Sequence, residues 1–137
     1  MRIVTRRTTR KDIETSTSSN PSEIRRFDAG ARMCEMSVHG GVAYLAGQVT
    51  GDDSLDISGQ TRSVLAAIDA LLARAGSHKS RILRAQIFLA DIADFAAMNA
   101  VWDEWVDKTN PPARATVQAA LAKPQWKIEI VATAAAG

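Results

Sequence analysis

The chain has 137 residues, 46% of them hydrophobic and 23% charged, an ordinary globular balance with enough length for one domain and a sizeable core. Its single cysteine excludes an internal disulfide framework, and no apolar run approaches the ~18 residues that a membrane span needs. The basic pI of about 9.0 comes from the leading segment: residues 1–26 hold seven Lys/Arg against three acids, whereas the rest holds ten against twelve. A body at −2 does not read as a phosphate-binding surface, so neither nucleic acid nor a membrane is an expected partner.

Residues 1–22 read as a disordered N-terminal extension, and 23–137 as the domain. The stretch from Thr15 to Ser22 holds no apolar residue to bury. An Arg- and Ser/Thr-rich start has the composition of a transit peptide, but Asp12 and Glu14 count against one. No apolar segment follows Arg6-Arg7 to make a secretory signal. A reducing, cytoplasmic compartment is the simplest expectation.

Cys34 to His39 alternates loosely, Gly40-Gly41 can supply positive φ, and Val42 to Ala46 runs apolar into Gly47, which together predict a hairpin. Asp52, Asp53, Ser54 and Asp56 mark a solvated loop. Ser58 is placed to cap a helix that runs to Ala75 and stops at Gly76, with Val64, Leu65, Ile68, Leu71, Leu72 and Ala75 on one stripe. Ile82 to Ala90 reads as a strand. Asp91 or Asp94 opens a second helix to about Val106, with Phe95, Met98, Val101, Trp102 and Trp105 on its apolar face. Pro111-Pro112 breaks it, and strands follow at about 113–121 and 126–134. The order β-β-α-β-α-β-β predicts an α+β layer, with both helices on one face of a single sheet.

Two charges stand out in the closing strands. Arg114 and Glu129 each sit in an otherwise apolar run, where a charge needs a partner or a ligand. A planar Arg that forks onto a carboxylate, near a Glu that can move a proton, outlines a small-acid site; an edge salt bridge on a solvated sheet face is the plainer alternative. Strand alternation groups Arg114 with Thr116 and Gln118, and Glu129 with Lys127 and Val131. Both sets are expected on the polar face, away from the helices. His39 and His78 lie beside turns and read as surface residues. Cys34 reads as a half-buried strand cysteine, and Trp102 and Trp105 as core. Asn99 sits beside Met98, where a buried amide would need partners. No residue cluster suggests a metal.

With these residues in hand, the chain resembles the reactive-intermediate deaminase (RidA/YjgF) family over roughly residues 24–135. The resemblance is carried by Leu45-Ala46-Gly47-Gln48, by Asp94-Phe95-Ala96-Ala97-Met98-Asn99, and by Pro112-Ala113-Arg114-Ala115-Thr116-Val117 followed by Ile128-Glu129-Ile130. It implies a chorismate-mutase-like α+β fold and a homotrimer, with sheets packed inside and three clefts between subunits. It also implies hydrolysis of small 2-imino or 2-enamino acids, such as 2-aminoacrylate, to 2-keto acids and ammonia, with no cofactor or metal. By position, Arg114 would grip the substrate carboxylate and Glu129 would handle the attacking water. Gly47 would let backbone approach the ligand, and Asn99 and Thr116 would line the cleft. Met33 stands where the best-known branch has Tyr, Ala46 where it has a hydroxyl residue, and Thr116 where it has Cys. These changes point to a sister branch that keeps the Arg but holds a different side chain. A non-catalytic small-acid-binding or chaperone-like trimer of the same fold is the alternative.

Overall fold

The computed structural model describes residues 22–137; the expected N-terminal extension lies almost wholly outside them. The predicted hairpin forms from β2 (Met36–His39) and β3 (Val42–Leu45), with His39 paired to Val42 across a two-residue turn. Gly40 (φ +58°) and Gly41 (φ +78°) both take the left-handed conformation that this turn demands. A short strand, β1 (Arg25–Phe27), precedes it and pairs antiparallel with β2, so the order is β-β-β-α-β-α-β-β. Cys34 lies in the β1–β2 connection and not in a strand, half-buried.

Helix α1 (Ile57–Arg74) starts two residues earlier than Ser58 implies. Asp56 is the cap, its Oδ1 accepting from Gly59 N at 2.8 Å. Gly76 (φ +68°) ends it, with Ser77 N donating to Leu72 O at 2.8 Å. Strand β4 (Ile82–Leu89) follows a 3-10 turn. Asp91 caps a second 3-10 turn, and helix α2 (Phe95–Trp105) begins only after it. Strands β5 (Ala113–Gln118) and β6 (Ile128–Ala135) close the chain.

The strands form one mixed sheet in the order β1-β2-β3-β6-β4-β5, parallel only between β4 and β5. One face is apolar: Phe27, Met36, Ala43, Ala85, Ile87, Leu89, Ile128 and Ile130 are fully buried there beneath Val64, Leu65, Ile68 and Leu72 of α1 and Met98 of α2. Helix α1 packs on β6 and β3, and α2 packs on α1. Strand β5 lies at the margin of this layer, and none of its residues is fully buried. The opposite face carries Tyr44 and Val117, 49% and 45% exposed.

Gln60 ties the helix layer to the start of β6. Its side chain is wholly buried, Nε2 donating to Leu55 O (3.1 Å) and Gln125 O (3.0 Å) while Oε1 accepts from Lys127 N (2.9 Å). Every polar atom of this amide is therefore used, and it fixes where the strand bearing Glu129 begins.

Candidate active site

The sheet register sorts the predicted residues into two sets. In the parallel β4–β5 pair, Arg114 lies beside Ala85, Thr116 beside Ile87 and Gln118 beside Leu89. Neighbours across a ladder point the same way, so Arg114, Thr116 and Gln118 belong to the helix-side face. This corrects the expectation that they look away from the helices. The helices cover the middle of the sheet and thin out at β5, so polar side chains on the covered face lie there at the margin of that cover, none of them fully buried. Ala115 and Val117, the apolar alternates, point to the open face.

Glu129 does lie on the open face, paired with Phe88, while Ile128 and Ile130 point into the core. Arg114 and Glu129 thus occupy opposite faces of one chain's sheet and do not meet within it. There is no edge salt bridge between them.

The Arg114 half is built from β5 and α2. Pro111-Pro112 leads into the strand, and the guanidinium carbon sits 5.0 Å from the centroid of the Trp102 ring, inside cation–π range. Trp102 is 6% exposed and tilts against Trp105 at 5.2 Å between centroids. Among the described residues Arg114 makes no hydrogen bond and no ion pair. Burial lowers its pKa from the ordinary guanidinium value, and the charge of Asp103 acts in the opposite direction. Asn99 lies three residues before Trp102 on α2. Its Oδ1 is buried without a partner, as is Thr116 Oγ1. Two unpaired acceptors and an unengaged cation are what a polar ligand would satisfy.

The Glu129 half centres on Gly47. A Cβ placed on Gly47 would overlap Glu129 Oε2 and come within 2.8 Å of Cδ. The glycine therefore makes room for the carboxylate, a more specific duty than close approach of backbone to ligand. The strip beside it is pinned from both sides. Gln48 N donates to Ile130 O (2.8 Å) and Ile130 N returns the bond to Gln48 O (3.1 Å). Gln48 Nε2 donates to Glu35 Oε1 (3.1 Å) and to Ala46 O (3.0 Å). Met33, 52% exposed, lines a surface hollow with Gly30, Ala31 and Arg32 in the β1–β2 connection.

The remaining candidates take structural places. His39 is exposed, and His78 caps the 3-10 turn before β4, its Nδ1 accepting from Ser80 N at 3.1 Å. Among the described residues no group of three His, Cys, Asp or Glu side chains could hold a metal, and no helix is long and apolar enough to cross a membrane. Sequence reasoning missed the contact of Trp102 with Arg114, although the spacing from Asn99 to Trp102 places both on one side of α2.

A family model described as Endoribonuclease L-PSP matches residues 23–136. The chain belongs to the RidA/YjgF family. A RutC family protein of Haemophilus influenzae is 54% identical over 110 residues, which is 79% of this chain and 94% of that protein. The crystal structure of a YjgF-family protein from Neisseria meningitidis matches with a TM-score of 0.83 at 42% identity, covering 86% of this chain and 98% of its own. The 3-aminoacrylate deaminase RutC of Acinetobacter baylyi is 35% identical over 99 residues, 68% of this chain and 78% of that protein. In this RidA/YjgF chain the residues picked out from sequence therefore fall into an arginine half and a glutamate half on the two faces of one sheet.

Proposed function

We propose that the chain hydrolyses small 2-imino or 2-enamino acids to 2-keto acids and ammonia, in a site formed where the arginine half of one copy meets the glutamate half of another within a homotrimer. The observation that carries this reading is Arg114: a half-buried guanidinium whose N–H donors are all unengaged among the described residues. Leaving a buried cation unpaired is costly, and a planar fork is matched to a carboxylate. A relative named as a 3-aminoacrylate deaminase supports the choice of reaction. The assembly is supported by the two halves facing opposite ways and by the exposed Tyr44 and Val117 on the open face.

The chemistry asks little of the protein. Arg114 holds the substrate carboxylate and so fixes the neighbouring imine carbon. Glu129 takes a proton from water as the water oxygen bonds to the carbon of the protonated imine, and the C=N electron pair moves to nitrogen to leave an amine. Glu129 then returns the proton to nitrogen; the C–N bond breaks, ammonia departs, and the hydroxyl closes to the ketone as its proton passes to Glu129. An imine carbon is already electrophilic, so proximity and one positioned base supply much of the acceleration. Asn99 Oδ1 and Thr116 Oγ1, both buried without a partner, accept in this reading from the N–H groups of the substrate. The nuclease activity in the family model's name is not proposed for this chain, because residues 27–137 carry no basic excess to hold a phosphate backbone.

Imines generated in situ by an amino-acid oxidase test the reaction directly. Keto-acid release should exceed the spontaneous rate and collapse in Arg114→Ala. Equal rates for wild type and Arg114→Ala would refute it, and Arg114-dependent keto-acid binding without turnover would favour a binding protein instead.

A further inference from the structure

We infer that Trp102 is a positioning residue for the carboxylate clamp, its indole face holding the Arg114 guanidinium in place while leaving the N–H donors open. This deepens the function proposed above and rests on it. The long arginine side chain must be held, or its rotamer freedom is lost afresh each time a ligand binds. An ion pair could hold it, but the carboxylate partner would occupy the donors that the substrate needs. An aromatic face attracts the cation through its ring quadrupole and consumes no N–H.

Each part of this device is present. The guanidinium carbon lies 5.0 Å from the Trp102 centroid, and Arg114 takes part in no ion pair among the described residues. The ring cannot follow the cation, because it is 6% exposed and braced by Trp105 at 5.2 Å. Ala85, beside Arg114 in the ladder and 1% exposed, offers no side chain long enough to compete for the space. Asp103 is exposed, next to Trp102 in sequence, and acts on Arg114 only through its charge at a distance. A merely apolar aliphatic residue at 102 would leave an apolar wall without attracting the cation.

The test uses the assembled protein with 2-oxobutanoate as ligand, comparing Trp102→Phe, Trp102→Leu and Arg114→Ala. Trp102→Leu should weaken binding about fivefold to tenfold. Its KM should rise by a similar factor while kcat changes less than about threefold. Trp102→Phe, which keeps an aromatic face, should stay within about threefold of wild type. Neutral 2-oxobutanamide should bind all four proteins alike. In side-chain NMR, Arg114 protons should show an upfield ring-current shift that persists in the Phe variant and vanishes in the Leu variant. Thermal melts establish that each variant is folded, and the Phe variant alone suffices if the Leu variant is not.

Wild-type affinity in a folded Trp102→Leu, alongside loss in Arg114→Ala, would overturn the inference. So would a folded Phe variant as impaired as the Leu variant, or one as impaired as Arg114→Ala. Arg114-dependent, Trp102-dependent binding with no turnover would sink the deaminase reading and leave Trp102 in its role. Binding indifferent to Arg114 would sink both.

Discussion

Replacing Gly47 by Ala is the sharpest probe of the glutamate half. The new Cβ would overlap Glu129 Oε2, and the carboxylate accepts no hydrogen bond among the described residues that would hold it there. It is the free end of a flexible side chain, so it swings aside at a rotamer cost of about 1 kcal/mol. Gly47 is not among the residues with positive φ, so Ala fits the backbone and reduces unfolded-chain entropy by about 0.4–1 kcal/mol. The two effects nearly cancel, so Tm should move by less than about 5 °C. Activity behaves differently. A base displaced by an ångström or more costs about 100-fold in kcat. The assay is keto-acid release at saturating substrate, run as a double-mutant cycle with Glu129→Gln. Once the carboxylate has been pushed out, removing its charge should cost less than about threefold more. A Gly47→Ala enzyme within threefold of wild type, or additive losses in the cycle, would show that the packing of Glu129 over Gly47 has no part in the chemistry.

Arg114→Lys should keep the charge but lose the paired planar contact, weakening 2-oxobutanoate binding about tenfold, with Arg114→Ala weaker still; titration calorimetry decides, and a Lys variant equal to wild type would argue against a forked grip. Gln60→Leu leaves the Lys127 N–H and the Leu55 and Gln125 carbonyls without this partner. It should destabilise the fold by about 2–4 kcal/mol, read from denaturant unfolding, and a loss under 0.5 kcal/mol would mean that water replaces the amide.

Local chemistry made much of the fold legible. Gly40-Gly41 specified the hairpin and Gly76 the end of α1, because both demand a conformation that few other residues accept. Asp56 and Ser58 are both capping types two residues apart, and sequence offers no way to choose between them. β1 has three residues, Arg25-Arg26-Phe27, too few to show a period. The face of β5 was misjudged for a deeper reason. Alternation tells which side chains travel together, but not which set meets the helices, and a polar set can lie on the covered face where the cover thins. Arg114, Glu129, Gly47, Asn99 and Thr116 could be picked out by residue type and motif. Their division between two faces depends on the parallel register of β4 with β5, a long-range pairing that no local window contains.

That division has a genetic consequence. If each site draws its arginine from one copy and its glutamate from the next, an Arg114→Ala chain still carries a sound glutamate half, and a Glu129→Gln chain a sound arginine half. Either variant alone has no complete site. Unfolded together and reassembled in equal amounts, they should form mixed rings in which one interface joins the two sound halves, restoring about a quarter of wild-type sites. Two dead proteins would thus complement each other in a tube, and a monomeric site could not.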